Sequence, residues 1–404
     1  EVGKRHQLAM PIILTDDGKV AEGTDAAGRV PAQYAGLDRF DARKRVAKDL
    51  EKAGAMVKTE QHHNAVRRCY RCDTVVEPRL SDQWFVKMAP LAAPALAAVR
   101  DGRVRILPER WEAVYVNWME NIRDWNISRQ IWWGHRVPVF YCLAPGAGCP
   151  AHFASRDDAP HCPACHGATR QDEDVLDTWF SSQLWPFSTL GWPDSTRDLQ
   201  AFYPTDVLVT APEILFFWVA RMMMSGMYVT RSAAHPDGIV PFHSVYLHGT
   251  ARDAQHRRMS KSLGNGIDPL DVVNLYGADA LRWTVIAGMG LGSDLLLDHE
   301  NIEQSFAPGR NFATKLWNIG RFLLLQVGPE PVRPVAALTD AELVPADHWI
   351  LARIDTAIAA ADAGLGPARP AGAGAWPERE RKLGLRLDEF AESARAFVWN
   401  DLAD

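Results

Sequence analysis

Apolar positions along the chain fall into short runs and helical periodicities that predict alternating strands and helices. Residues 10–14 form an apolar run that is followed by a turn sequence at residues 16–18. Further on, Phe40, Ala47 and Leu50 recur at helical spacing among charged residues, which is typical of an amphipathic helix. The first part of the chain is therefore predicted to form a strand, a turn and a helix.

The pattern changes twice more along the chain. Asp101 and Gly102 mark a turn before an apolar strand at residues 104–106, and from about residue 172 to 305 short apolar segments alternate with capped helices. Such alternation is expected of an α/β nucleotide-binding layer. After Pro308 the apolar residues recur at helical spacing, which predicts helices packed in a bundle.

The composition is that of an ordinary globular protein of two or three domains, with 404 residues, of which 47% are hydrophobic and 23% charged. A formal net charge of -6 argues against indiscriminate coating of nucleic acid but leaves room for a local basic surface that meets one RNA. The most apolar stretch, residues 207–224, contains Glu213 and Arg221, so no membrane span is predicted. No export signal opens the chain, and we expect a cytoplasmic protein.

Four cysteines in the middle of the chain predict a structural zinc site. In a chain without an export signal, clustered Cys-x-x-Cys pairs indicate zinc knuckles before disulfides. Two thiolates on a tight turn present adjacent corners of a tetrahedron, and iron is the alternative metal. Reduced core thiols are the alternative to a metal site. The predicted ligands are Cys142, Cys149, Cys162 and Cys165, with His152, His161 and His166 as nearby substitutes.

A second Cys-x-x-Cys pair, Cys69 and Cys72, is left as half a site. Tetrahedral zinc needs four ligands, and the chain offers no obvious pair to complete this one. We therefore predict a second, incomplete metal site here.

One short segment predicts a loop that handles phosphate. It has one ammonium, two hydroxyls and a following glycine, and such a loop can close over a triphosphate and stabilise charge on a departing pyrophosphate. Behind it, Asp268 and Pro269 form a helix start. A solvated surface loop is the alternative for the segment taken alone. The segment, called the signature loop below, consists of Arg258, Met259, Ser260, Lys261 and Ser262, followed by Leu263, Gly264 and Asn265.

Eight segments spread over nearly the whole chain share one family likeness. They are residues 69–74, 81–85, 121–130, 131–135, 177–182, 203–210, 216–222 and 310–318. On these segments the chain resembles the bacterial valyl-tRNA synthetases, which are class I aminoacyl-tRNA ligases. The Ile-Ser-Arg-Gln core at residues 127–130 is shared with isoleucyl and leucyl relatives, whereas residues 132–135 and 217–218 favour the valyl type. An isoleucyl enzyme is the nearest alternative.

The resemblance implies an α/β fold that is the second half of a class I synthetase Rossmann-type nucleotide-binding domain. This half would carry a zinc-knuckle insertion at about residues 140–170, an editing-domain remnant at its N-terminus and an α-helical bundle at its C-terminus. The implied domains are residues 1–65 for the remnant, 66–305 for the catalytic part and 306–404 for the start of the anticodon-binding bundle.

The resemblance also implies an activity and roles for the signature loop. The family uses ATP with Mg²⁺ and valine to form valyl-adenylate and pyrophosphate, and then passes the valyl group to tRNA(Val). Lys261 would stabilise the transferring phosphates, with Arg258, Ser260 and Ser262 beside it. The remaining implied ATP-binding groups are the Met259 backbone and the pair His248 and Gly249. The parent enzyme is expected to be a monomer.

A pocket for the amino acid is predicted from spacing together with the resemblance. Thr210 and Glu213 are spaced as a capping box, and the helix that follows would place Ile214 and Trp218 on one face. In the family these two positions line the amino-acid pocket, and Trp179 matches a third wall. The alternative is that all three side chains belong to an ordinary core.

The chain also departs from the family pattern. It opens at Glu1, lacks the family's His-Ile-Gly-His-type motif and the Asp-rich editing segment, and has Arg258 where the family has lysine. It stops inside the implied helical bundle. We therefore expect a partial enzyme that is inactive by itself. The alternatives are a catalytically inactive paralogue that binds tRNA and, less completely, a zinc-ribbon module that binds nucleic acid.

Overall fold

The computed structural model describes residues 2–9, 11–22, 30–69, 72–77, 79–158, 160–329, 331–368 and 374–403. By its internal contacts the chain divides into two compact units, residues 1–83 and 84–404. The domain boundaries predicted after residues 65 and 305 stay predictions. Among the helices of the described residues, none has the length and apolar character that a membrane crossing requires.

Helices and short strands alternate along the described chain. The α-helices are α1 (Val2–Arg5), α2 (Arg39–Lys52), α3 (Ala89–Arg100), α4 (Arg110–Glu120), α5 (Thr178–Ser182), α6 (Trp185–Ser188), α7 (Arg197–Phe202), α8 (Ala220–Val229), α9 (Pro269–Tyr276), α10 (Ala278–Gly288), α11 (Ile302–Gln326), α12 (Pro345–Leu365) and α13 (Leu387–Ala396). The strands are β1 (Phe85–Val86), β2 (Arg105–Leu107), β3 (Trp125–Asn126), β4 (Ser128–Arg129), β5 (Val139–Cys142), β6 (Phe153–Ala154), β7 (Thr169–Gln171), β8 (Val175–Leu176), β9 (Thr205–Thr210), β10 (Phe242–Leu247), β11 (Ala251–Arg252) and β12 (Leu295–Leu296).

The first unit contains the predicted turn and amphipathic helix but not the predicted strand. α2 begins after Asp38, whose side chain accepts a hydrogen bond from the backbone N–H of Phe40 at 2.8 Å, as an N-cap residue does. The apolar run at residues 11–14 forms a single antiparallel bridge, between Leu14 and Val20. Pro11 has no N–H to donate to a ladder, and Met10 lies outside the described residues.

A parallel three-stranded sheet lies at the centre of the second unit. β10 is the middle strand, with β2 and β9 parallel to it on either side, and Ser244 stands opposite both Arg105 and Val207. All six residues of β10 are buried, as expected for a parallel strand covered on both faces. α3, α4 and α8 contribute to the same apolar core. The α/β layer predicted from the sequence is confirmed.

The C-terminal helices form a packed group together with α10. α11 packs on α10, where the rings of Trp283 and Phe312 lie 5.4 Å apart, and α12 packs on α13. The helix predicted after Pro308 begins earlier, at Ile302, because the side chain of Asn301 accepts from the backbone of the first turn. The predicted group of packed helices is therefore present, with an earlier start.

Candidate active site

The carboxyl ends of β9 and β10 lie side by side and define one edge of the parallel sheet. The backbone N–H of His248 donates to the carbonyl of Thr210 at 3.1 Å, so the segments that leave the two strands are held together. The next residue, Gly249, is packed so closely that a Cβ there would lie 1.7 Å from the Ser293 carbonyl oxygen. In open α/β sheets, ligands bind outside the carboxyl ends of the strands. This edge is therefore the candidate site.

The base of the signature loop is fixed by Asp253, a fully buried carboxylate that follows β11. Its Oδ1 accepts from the backbone N–H groups of Gln255 and Arg257, and its Oδ2 accepts from Asn265 Nδ2 at 2.9 Å and Arg257 Nε at 2.8 Å. Burial alone would raise the pKa of Asp253, but the hydrogen bonds from Asn265 and Arg257 outweigh it and hold this pKa well below its usual range. Asp253 is therefore an ionised anchor.

Asn265 completes this anchor from the other end of the loop. It is 2% exposed, and its Oδ1 accepts the backbone N–H of Ser260 at 2.9 Å. Its Nδ2 donates to the Arg258 carbonyl at 3.3 Å as well as to Asp253. The sequence placed Asn265 beside the loop but gave it no role, and it did not single out Asp253. Both ends of the loop are thus tied to one buried pair.

The tip of the loop is open to solvent. Lys261 and Ser262 are exposed, and the hydroxyl oxygens of Ser260 and Ser262 lie 3.2 Å apart. Gly264 has a φ of +65°, a backbone conformation that glycine adopts without strain. Met259 is half-buried and packs against the apolar cluster beneath the loop. The predicted loop residues are therefore brought together, with their ammonium and hydroxyl groups on the accessible side.

Arg258 reaches from this loop to the turn that follows β9. Its Nη1 lies 2.6 Å from Glu213 Oε1, and the two side chains are 62% and 41% exposed. The capping box predicted for Thr210 and Glu213 is wrong. Thr210 is the last residue of β9, Ala211 occupies the cap position, and no side chain caps the turn. Glu213 is instead an ion-pair partner, which the sequence did not indicate.

The aromatic side chains predicted to line a pocket gather beside the same turn. Trp179 stacks on Phe217 with 5.7 Å between ring centroids, and Trp218 Nε1 donates to the Ser182 carbonyl at 3.0 Å. Ile214 is half-buried at the end of a 3₁₀ turn, Pro212–Ile214, which a π-helical segment, Leu215–Val219, follows before α8 begins. The α-helical spacing assumed for Ile214 and Trp218 is therefore wrong, because i→i+5 bonds replace the i→i+4 bonds of an α-helix.

Charged side chains next to these aromatic residues orient Trp179. Asp177 caps α5 by accepting the Trp179 N–H at 3.2 Å, and its other oxygen accepts from Trp125 Nε1 at 3.0 Å and pairs with Arg129. The guanidinium of Arg221 lies 3.7 Å from the centroid of the Trp125 ring, and burial lowers the pKa of Arg221 to about 10. In the sequence, Arg221 served only to interrupt an apolar stretch.

The four predicted zinc ligands form one cluster, in which Cys142 ends β5 of the β6-β5-β7 sheet and the other three lie outside its strands. Their Sγ atoms all lie within 4.8 Å of one another, with 3.5 Å between Cys142 and Cys165 and 3.8 Å between Cys149 and Cys162. Tetrahedral zinc with Zn–S bonds of about 2.3 Å places sulfurs roughly 3.8 Å apart. The cluster can therefore hold a metal ion. His152 instead contacts Trp84, with 4.9 Å between the two ring centroids.

Cys69 and Cys72 lie in the first unit, and both contact Thr74. The Cys69 N–H donates to the Thr74 carbonyl at 2.8 Å, and the Cys72 thiol donates to the Thr74 hydroxyl at 3.2 Å. Within the part of the chain that the structure describes, no third cysteine, histidine or carboxylate joins them in a metal-capable cluster.

A match to a protein-family model identifies the class of protein to which this chain belongs. The model of class I tRNA synthetases for isoleucine, leucine, methionine and valine, described as "tRNA synthetases class I (I, L, M and V)", matches residues 19–298. The chain belongs to the class I tRNA synthetases.

Curated relatives of this class I synthetase chain are valine–tRNA ligases. The enzyme of Symbiobacterium thermophilum is 48% identical over 406 residues, and that of Geobacter sulfurreducens is 51% identical over 406 residues; each match covers all of this chain. The chain spans 40% and 41% of the length of these two relatives. The likeness to valyl-tRNA synthetases seen in the sequence is confirmed.

A solved structure supports the class I synthetase fold. The methionyl-tRNA synthetase of Mycobacterium tuberculosis bound by methionyl-adenylate matches with a TM-score of 0.53 and 18% sequence identity. The match covers 84% of this chain and 55% of that one. At this identity the likeness concerns the fold alone.

Replacing Asn265 by alanine is expected to loosen the signature loop of this synthetase chain. The change removes the acceptor for Ser260 N–H and donors to Asp253 and Arg258, and unsatisfied buried groups cost about 1–3 kcal/mol. Hydrogen–deuterium exchange should therefore be faster in the peptide that spans residues 258–265 and unchanged in β10. Unchanged exchange in the loop would contradict the anchoring role.

A matched variant, Asn265→Asp, tests the charge of Asp253. Because the pKa of Asp253 is depressed, its contribution to stability is fully present above the unfolded value near 4 and is lost only as pH falls towards the folded value. A second carboxylate beside Asp253 would repel it, so the aspartate variant should exchange faster than the alanine variant at pH 7. The difference should shrink as the pH is lowered, because Asp253 raises the pKa of the introduced carboxyl and favours its protonated form.

Proposed function

We propose that this chain forms part of a valine–tRNA ligase. Such an enzyme joins L-valine to ATP, releasing pyrophosphate and forming valyl-adenylate, and then transfers the valyl group to the terminal adenosine of tRNA(Val) with release of AMP. One observation carries the proposal: the signature loop, which bears Lys261 and is anchored by Asp253 and Asn265, is joined by the Arg258–Glu213 ion pair to the turn that precedes Phe217 and Trp218. Identities of 48% and 51% to valine–tRNA ligases support it.

The signature loop would act on the phosphates of ATP bound with Mg²⁺. The ammonium of Lys261 and the hydroxyls of Ser260 and Ser262 lie on the accessible side of a fixed base, so they are available to a triphosphate at the sheet edge. Positive charge held where negative charge develops lowers the barrier without reorganisation at the moment of reaction. Arg258 would add a second positive charge. The Met259 backbone would contact the nucleotide, with His248 and Gly249 at the strand end beside its adenine and ribose.

The aromatic side chains of Trp179, Phe217 and Trp218, called the aromatic wall, would select the amino acid. Trp179, Ile214 and Trp218 line the proposed pocket, and the stack of Phe217 on Trp179 fixes one side of it. Rigid apolar walls accept a small branched side chain, whereas an added methylene forces overpacking, which typically costs about 1–3 kcal/mol. Valine is therefore favoured over isoleucine.

The cysteine cluster would hold a structural Zn²⁺. Cys142, Cys149, Cys162 and Cys165 supply four sulfur ligands, which leaves no open position for a water or substrate. The ion would contribute to folding of the β6-β5-β7 sheet and take no part in the reaction.

The remaining assignments rest on the resemblance to valyl-tRNA synthetases. Residues 1–65 would be the end of an editing domain, and residues 306–404 the start of a bundle that meets tRNA(Val). A cytoplasmic location and a monomeric parent enzyme are proposed on the same basis.

Valine-dependent exchange of pyrophosphate into ATP tests this proposal. We compare the 404-residue chain with a version extended upstream to include the first half of the nucleotide-binding domain, using isoleucine and threonine as competing substrates. Exchange is expected in the extended form alone, with valine preferred over isoleucine. Exchange by the 404 residues alone would contradict the partial enzyme, and a preference for isoleucine would contradict the valine assignment. Binding of tRNA without exchange in either form would favour the inactive paralogue.

A further inference from the structure

The ion pair between Glu213 and Arg258 joins two parts of the site that are separate in sequence. Glu213 lies in the Pro212–Ile214 turn at the end of β9, directly before the pocket residue Ile214. Arg258 lies at the start of the signature loop, and 2.6 Å separates its Nη1 from Glu213 Oε1. The pair therefore bridges the turn of the amino-acid pocket and the loop that carries Lys261.

The backbone and the side chain of Arg258 are held by different partners. Its carbonyl accepts from Asn265, which belongs to the buried anchor of the loop. Its guanidinium extends away from that anchor to Glu213. Beyond Arg258 the loop runs to the exposed Lys261 and Ser262. The ion pair of the Arg258 side chain therefore lies between the base of the loop, which Asp253 and Asn265 fix, and the exposed tip.

We propose that Glu213 is a positioning residue for the signature loop: through Arg258 it holds the loop, and with it Lys261, close to the turn of the amino-acid pocket. This inference rests on the proposed function, since it assigns the loop its place beside valine and ATP. An arginine fork matches a carboxylate better than an ammonium does, so arginine at position 258 suits this tie. Both side chains are partly exposed, so the tie breaks at small cost.

Trypsin cleavage after Lys261 measures the position of the loop without requiring activity. The 404-residue chain is digested under native conditions, and the cleaved fraction at Lys261 is followed by mass spectrometry. Losing a surface ion pair of up to about 1 kcal/mol corresponds to a change of up to about fivefold in the open population. Glu213→Gln is therefore expected to speed this cleavage severalfold, and Glu213→Arg to speed it further by repulsion.

A charge swap and a matched control separate the pair from a local structural effect. The double variant Glu213→Arg with Arg258→Glu restores the ion pair in reverse and should return cleavage at Lys261 towards the wild-type rate. Glu300→Gln removes an exposed glutamate with no ion-pair partner among the described residues, and it should leave cleavage unchanged. Unchanged cleavage in Glu213→Gln, or a double variant as fast as the single ones, would overturn the proposal.

Exchange kinetics of the extended enzyme provide the second readout. Glu213→Gln is expected to lower kcat severalfold and to leave the KM for valine nearly unchanged, because the walls of the pocket keep their contacts. The double variant restores the tie but removes the positive charge of Arg258 beside the phosphates, so it should recover kcat only in part, above that of Arg258→Glu alone. A rise in the KM for valine with kcat unchanged would overturn the positioning role. If the wild-type extended enzyme shows no exchange, the proposed function fails, while cleavage at Lys261 still decides whether Glu213 positions the loop.

Discussion

Replacing Lys261 by alanine in the extended enzyme is expected to reduce valine-dependent exchange by about 100- to 1,000-fold, the effect typical of removing one preorganised group that stabilises the transition state. The loop would keep its base, because Asp253 and Asn265 make none of their hydrogen bonds to the Lys261 side chain. The loss should therefore fall on kcat. The KM for valine should change little, since Trp179 and Trp218 are untouched. Initial rates of exchange at several valine and ATP concentrations measure both quantities.

Two further variants show whether the loss belongs to the ammonium of Lys261. Lys261→Arg keeps the charge but replaces a compact ammonium by a planar fork, so it should retain part of the activity. Lys87→Ala removes an exposed lysine outside the loop and should behave as the wild type. A loss of less than tenfold in Lys261→Ala would show that the loop does not stabilise the transferring phosphates.

Replacing Cys162 by serine is expected to abolish binding of about one Zn²⁺ per chain, because a structural site needs all four ligands. Cys162 is the one fully buried cysteine of the cluster. Replacing a residue that only hydrogen-bonds a metal ligand typically lowers metal affinity about 10- to 100-fold. Loss of a ligand itself should lower the affinity further. Metal analysis after dialysis gives the zinc content. Hydrogen–deuterium exchange should show β5 and β7 opening in the variant, and in the wild type after treatment with a chelator.

The incomplete pair offers the matched control for this site. Cys72→Ser changes a thiol of the same type in the first unit, where the described residues provide no complete ligand set, so the zinc content should stay the same. Retention of zinc in Cys162→Ser would contradict the four-cysteine site. A fall in zinc content in Cys72→Ser would instead reveal a second bound ion.

Short-range patterns predicted the parts of this site that depend on neighbouring residues. The Cys-x-x-Cys spacing brings the thiols of Cys162 and Cys165 together on one turn, and the hydroxyls and glycine of the signature loop lie within a few residues of Lys261. The buried strand β10 and the helix α8 followed from the alternation of apolar segments between residues 172 and 305. Each of these features is decided by local chain geometry, which a sequence displays directly.

Contacts between distant segments were not predictable in the same way. Thr210 and Glu213 have the spacing of a capping box, yet Thr210 belongs to β9 and Glu213 faces Arg258. The pairing of Thr210 with β10 and the charge of Arg258 near Glu213 outweighed the local preference of these two residues for a capping box. Asp253 looks like an ordinary polar turn residue in the sequence, and its role depends on an amide from Asn265 that the fold brings to it.

The π-helical segment Leu215–Val219 makes the proposed pocket sensitive to chain length. A π turn accommodates one more residue between hydrogen-bonded groups than an α turn does. Deleting Val219, the one residue between Trp218 and α8, would allow the helix to close as an α-helix and would rotate Trp218 by about 100° relative to α8. Trp218 would then leave the Ser182 carbonyl and the Trp185 ring that it now contacts. One-residue deletions, and not only side-chain replacements, therefore offer a route to enzymes that accept a different amino acid.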